Sequence, residues 1–139
     1  MKEDRLKTVK LLRFDVMNLN NRVYTKEEVM PHIEKLKGKI NKYGVVYGEL
    51  GFPENFDVSL SRASHAIKDL YIEGDFLMGK IQIIKTKYGD ELLKNFDSMV
   101  FRSRGTGFKD MDSNIVRLRK IFTFDAILED TDAFKGLMD

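Results

Sequence analysis

Two β-rich runs, residues 64–72 and 76–84, flank the short segment Glu73-Gly74-Asp75. No other feature constrains the fold more, because a turn this tight makes the two runs neighbouring antiparallel strands. A second strand signal covers 115–128. There Val116, Leu118, Phe122 and Phe124 alternate with Arg117, Arg119, Ile121 and Thr123, which predicts a long strand with one apolar and one basic side. Residues 5–17 read as an opening strand, Asn18 to Asn21 as a polar turn, and Val45-Val46-Tyr47 as a short strand.

Helical spacing appears twice. Thr25 and Glu28 stand at capping-box separation, and Val29, Ile33, Leu36 and Ile40 recur on one stripe, so a helix is predicted over 26–41. Pro31 falls late for a first-turn proline and is expected to kink or delay it. Leu92, Leu93, Phe96 and Met99 predict a second, short helix over 89–99. The order is strand, helix, strand, hairpin, helix, strand, strand. It predicts an α+β domain: a small, mostly antiparallel curved sheet or partly open barrel with two flanking helices.

A length of 139 residues without an internal repeat suits one domain, 1–139. The absence of cysteine excludes disulfides, thiolate metal sites and a cysteine nucleophile. No apolar run approaches the ~20 residues of a membrane span, and the Met-Lys-Glu-Asp-Arg start lacks the apolar stretch of a signal peptide. The only histidines, His32 and His65, have no ligand-like spacing, so no metal or cofactor is expected. The 24 basic residues are nearly balanced by 22 acidic ones. A nucleic-acid module using Arg102, Arg104, Arg117, Arg119 and Lys120 as phosphate contacts therefore ranks last among the candidate functions.

Two segments carry the functional argument: Gly48-Glu49-Leu50-Gly51-Phe52-Pro53 and Phe101-Arg102-Ser103-Arg104-Gly105-Thr106-Gly107. Taken by composition, they are a glycine-shaped loop with a core phenylalanine and a tight turn after a strand. Four further pieces accompany them in order: Val16 to Tyr24 with Asn18, Asn20, Arg22 and Tyr24; Ser64-His65-Ala66-Ile67; Gly79-Lys80-Ile81; and Phe124-Asp125-Ala126-Ile127. Together they resemble the T4-type phage prohead proteases, serine enzymes that process the inner scaffold of a maturing capsid. More remotely, they resemble the herpesvirus assembly protease fold.

In that family the first motif reads Gly-Glu-Leu-x-His-Pro and supplies the catalytic histidine. The second reads Ser-Ser-Arg-Gly-x-Gly, and its first serine is the nucleophile. Here Phe52 holds the histidine position and Arg102 the nucleophile position. Phenylalanine has no acid–base group, and arginine stays protonated and is no nucleophile. The resemblance thus implies a prohead-protease fold without catalytic residues, in which Asp125 is the retained third position. The alternative is an active maturation protease that uses Ser103 as nucleophile, His65 as base and Asp125 as orienting acid. Against it, neighbouring strand residues point to opposite faces, so Ser103 is expected to face away from the lost nucleophile's side.

The resemblance further implies a structural phage-head protein: an auxiliary, decorating or internal capsid component. Its partners would be the major capsid protein, other head proteins or copies of itself, without a membrane. Its places would be the virion and, during assembly, the host cytoplasm. The acidic run Glu129-Asp130-Thr131-Asp132 and the basic residues Arg117, Arg119 and Lys120 are candidate contact surfaces, although any single charge is more simply read as solvated surface.

Overall fold

The predicted hairpin organises a computed structural model that describes residues 4–51 and 58–129. Strands β3 (Ala63–Glu73) and β4 (Phe76–Ile83) pair antiparallel, with Glu73 opposite Phe76 across the turn. Strand β1 (Leu6–Arg13) pairs with the free edge of β4, and β2 (Val46–Glu49) with that of β3, giving the antiparallel order β1-β4-β3-β2. Strands β5 (Met99–Lys109) and β6 (Val116–Leu128) form a second, long hairpin. Leu50 bridges Ala126 in parallel, and β1 lies against β5. The two sheets therefore curve around one core as a partly open barrel.

Helix α1 (Lys26–Tyr43) starts where its cap predicts, with Thr25 Oγ1 accepting the Glu28 N–H at 3.2 Å. The Glu28 carboxylate instead takes Arg117 Nη1 at 2.9 Å, fastening the helix to β6. Pro31 is accommodated inside the helix and does not delay its start. Val29, Ile33, Leu36 and Ile40 are all buried, each contributing about 1.5–3 kcal/mol of apolar transfer. The Asn18 turn forms as expected, Asn18 Oδ1 accepting the N–H groups of Asn20 and Arg22.

Three local expectations are corrected. The opening strand ends at Arg13, because the chain turns at Asp15, which takes a positive φ of 63°. The second helix, α2, is Lys87–Lys94. Thr86 caps it through the Gly89 N–H, Phe96–Ser98 is a 3₁₀ turn, and Met99 already belongs to β5, opposite Leu128. Gly105 and Gly107 are not in a turn but within β5, where a side chain would meet the Lys120 and Arg117 carbonyls of β6.

The faces of β6 also differ from simple alternation. The register shifts twice, between Arg104 and Gly105 and between Thr106 and Gly107, leaving Phe122 and Arg119 as extra residues. A bulge moves every later side chain to the other face. Ile121 therefore joins Phe124 in the core, while Phe122 stays half-buried. Thr123, predicted on the basic side, is fully buried.

Candidate functional site

Glu49, Arg104 and Asp125 come from β2, β5 and β6 and meet in the interior, each with 5% exposure or less. In the β5–β6 register Arg102 faces Asp125 and Arg104 faces Thr123, so the pleat puts both arginines on the Asp125 side. Arg104 Nε donates to Asp125 Oδ2 at 2.8 Å and Nη2 to Oδ1 at 2.7 Å. This two-pronged grip suits the planar guanidinium. Nη2 also donates to Glu49 Oε2 at 3.1 Å. The Asp125 hydrogen bond is the main reason the Arg104 pKa is held above its usual value, against the opposing effect of burial.

The remaining acceptors are also used. Asp125 Oδ1 takes the Glu49 N–H at 3.0 Å, and Glu49 Oε2 takes the Ser59 N–H at 3.2 Å. Arg62 Nε lies 3.7 Å from Glu49 Oε1 and is largely exposed, so it offsets the one negative charge that the buried triad leaves over. Burying ions is costly unless each is paired and hydrogen-bonded, and every member here meets that condition.

His65 sits beside this network on β3, opposite Gly48 of β2. Its Nε2 lies 2.8 Å from the Phe124 carbonyl oxygen, and its Nδ1 lies 2.7 Å from Ser64 Oγ. A carbonyl can only accept, which assigns the proton to Nε2 and makes Nδ1 the acceptor of the Ser64 hydroxyl. The Phe101 ring meets His65 edge-on, with centroids 5.1 Å apart. Burial pushes the His65 pKa down from 6.5 to about 4, outweighing the Phe124 bond and the Asp125 charge, so the ring is neutral at pH 7. A side chain at position 48 would collide with the imidazole and the Phe124 carbonyl. Glycine there is what lets His65 reach across β2 to β6.

These contacts close the β2–β6 seam largely by side chains. Thr123 Oγ1 donates to the Tyr47 carbonyl at 2.7 Å, Asp125 accepts the Glu49 N–H, and His65 Nε2–H, reaching across from β3, donates to the Phe124 carbonyl. Backbone pairing is added at the end, where Leu50 bridges Ala126 in parallel and the Gly51 N–H donates to the Ala126 carbonyl at 2.8 Å.

The predicted site residues are distributed as follows. Asp125 is bound by Arg104 and the Glu49 backbone, and His65 by Ser64 and Phe124. Ser103 is half-buried opposite Phe124, on the face of the hairpin away from Asp125. Among the described residues no hydrogen bond joins Ser103, His65 and Asp125 to one another. Arg102 is half-buried opposite Asp125, and Phe52 lies outside the described residues. In the proposed nucleic-acid set, Arg104 is enclosed in the triad and Arg117 is paired with Glu28 and Asp110.

Sequence reasoning missed the pairing role of Glu49 and Arg104, and the Ser64–His65 bond. The available signal was that the motif segments carry complementary charges, Glu49 in the first, Arg102 and Arg104 in the second and Asp125 in the late strand; which of them meet depends on strand register. Among the described residues no group of three or more histidines and carboxylates is placed to hold a metal ion, and no helix is long and apolar enough to cross a membrane.

Two helices flanking a mostly antiparallel sheet that does not fully close is the α+β architecture of the prohead-protease fold. Among solved structures, the chain is similar to the capsid assembly protease of bacteriophage T4. The TM-score is 0.77 and the identity 24%, over 88% of this chain and 81% of that one. No family model and no curated protein matches the chain. The likeness establishes the fold; function has to be argued from the site.

Proposed function

We propose that this chain is a non-proteolytic structural protein of a phage head, an auxiliary, decorating or internal capsid component built on the prohead-protease fold. The observation that carries the reading is the use made of Asp125. A catalytic acid of this type must orient a base that in turn activates a nucleophile. Here both Asp125 oxygens accept from Arg104, one of them also from the Glu49 amide, and Arg102 stands opposite. His65 is neutral at neutral pH, which a base requires, but both its nitrogens are hydrogen-bonded inside the core. Ser103 has neither as a partner. In this reading the three motif segments keep their charged framework because Glu49, Arg104 and Asp125 hold the barrel seam.

The partners in this reading are the major capsid protein or other head proteins, with self-association a further possibility. The protein would reside in the virion, and in the host cytoplasm during assembly. Scaffold and capsid peptides incubated with the purified chain are expected to stay intact. Cleavage that disappears in Ser103→Ala would instead establish the Ser103 protease. Mass spectrometry of purified virions should find stoichiometric copies, and a chain confined to the lysate would defeat the structural role.

A further inference from the structure

A groove of about 460 Å³ opens between α1 and β6. Its floor includes Leu36 and Ile121, both nearly fully buried. Its edges carry Lys35 and Lys39 from α1 and Arg119 and Lys120 from β6, all exposed, and among the described residues no carboxylate lines it. Lys35 and Lys39 stand four residues apart, a like-charge spacing that disfavours the helix. Strict alternation would send Arg119 and Lys120 to opposite faces. The bulge at Arg119 brings both onto one groove, and re-aiming a side chain is what such bulges do.

Among the described residues none of these four cations is in an ion pair. Arg117, nearby on the same strand, is held by both Glu28 and Asp110. Acidic residues are not scarce, since the chain has 22. Four cations without an ion-pair partner among the described residues, of which Lys120 also lies 4.6 Å over the Phe122 ring, border an apolar floor and form a concave site of positive potential, which concentrates anionic ligands.

We propose that this groove binds an acidic peptide segment, with carboxylates on the four cations and an apolar side chain seated on Leu36 and Ile121. A nucleic-acid strand fits less well, because its phosphates would leave the apolar floor unfilled. The cations also border one groove rather than forming a stripe along the surface, and the net charge is only +2. The site stands whether or not the chain cleaves peptides.

The test is fluorescence anisotropy with a labelled Asp-Glu-Asp-Leu-Glu-Asp-Glu peptide on the full chain. The peptide should bind and weaken as salt rises, and its Asn/Gln counterpart should not bind. Lys39→Glu/Arg119→Glu should weaken binding by about tenfold or more, while Lys68→Glu, an exposed change outside the groove, should leave it unaltered. If the double reversal disturbs folding, the milder Lys35→Gln/Lys120→Gln replaces it with the same expected direction. No binding at about 1 mM peptide, far weaker than functional recognition, would overturn the proposal. So would binding indifferent to the groove variants. Tighter binding of a single-stranded oligonucleotide of equal charge, lost in the same variants, would reassign the groove to nucleic acid and equally defeat it.

Discussion

Near its end, β6 places Asp125 in a buried ion network, joined to Arg104 and Glu49 with both of its own oxygens hydrogen-bonded. Earlier along the same strand, Arg119 and Lys120 stand exposed beside Lys35 and Lys39 in a groove that no carboxylate lines among the described residues. The residue types are similar and the physics is different. A buried charge costs several kcal/mol unless it is paired, so the Asp125 cluster is complete and part of the architecture. An exposed charge remains hydrated and need not pair, so the α1–β6 cluster is free to meet a ligand.

The sharpest way to break this contrast is to remove one member of the closed cluster. Arg104→Met leaves Asp125 and Glu49 buried without their counter-charge, and urea unfolding should show a loss of about 3–5 kcal/mol. The same change at Lys39 should stay within about 0.5 kcal/mol. A loss below about 1 kcal/mol at Arg104 would mean that water enters the network and that the two clusters are alike.

A smaller effect separates the regions by pH. In the unfolded chain His65 takes its proton near 6.5, but in the fold only near pH 4. Between those values the unfolded state binds more protons. The His65 contribution is therefore complete above pH 6.5 and is lost as pH falls toward 4, by up to about 3 kcal/mol. His65→Gln removes that titration, so its stability should fall less steeply across this window than that of the parent. Parallel profiles would show that His65 is hydrated rather than enclosed.

Smallest is the seam itself. Thr123→Val keeps the shape but leaves the Tyr47 carbonyl without its 2.7 Å donor, a cost of about 1–2 kcal/mol. Hydrogen exchange at the Glu49 amide, which crosses the same seam to Asp125, should accelerate with it. Unchanged exchange would assign the seam's rigidity to packing alone.

Local patterns in the sequence were legible where one segment decides the outcome. The Thr25 cap and the stripe of Val29, Ile33, Leu36 and Ile40 define α1, and Glu73-Gly74-Asp75 defines the β3–β4 turn. The prohead-protease resemblance anticipated the fold through six short segments in order. What failed was anything that depends on how strands slide. Alternation assigned Phe122 to the core and Ile121 to the surface, and the β6 bulges exchanged them. Helical spacing carried α2 through to Met99, although pairing with Leu128 had already committed that residue to a strand.

The candidate site divides in the same way. The residues themselves, Phe52 and Arg102 at the two motif positions and Asp125, Glu49, Arg104 and His65 around them, were fixed by the chain. Their partners were not. Glu49, Arg104 and Asp125 are 55 and 21 residues apart along the sequence, and only strand register brings three such charges within 3.1 Å or less. His65 reaches Phe124 only because β2 passes between them with a glycine at position 48. Residue type determines which interactions are chemically possible. Burial and register, which belong to the tertiary structure alone, decide which form and whether a charge is sealed in a seam or left facing a groove.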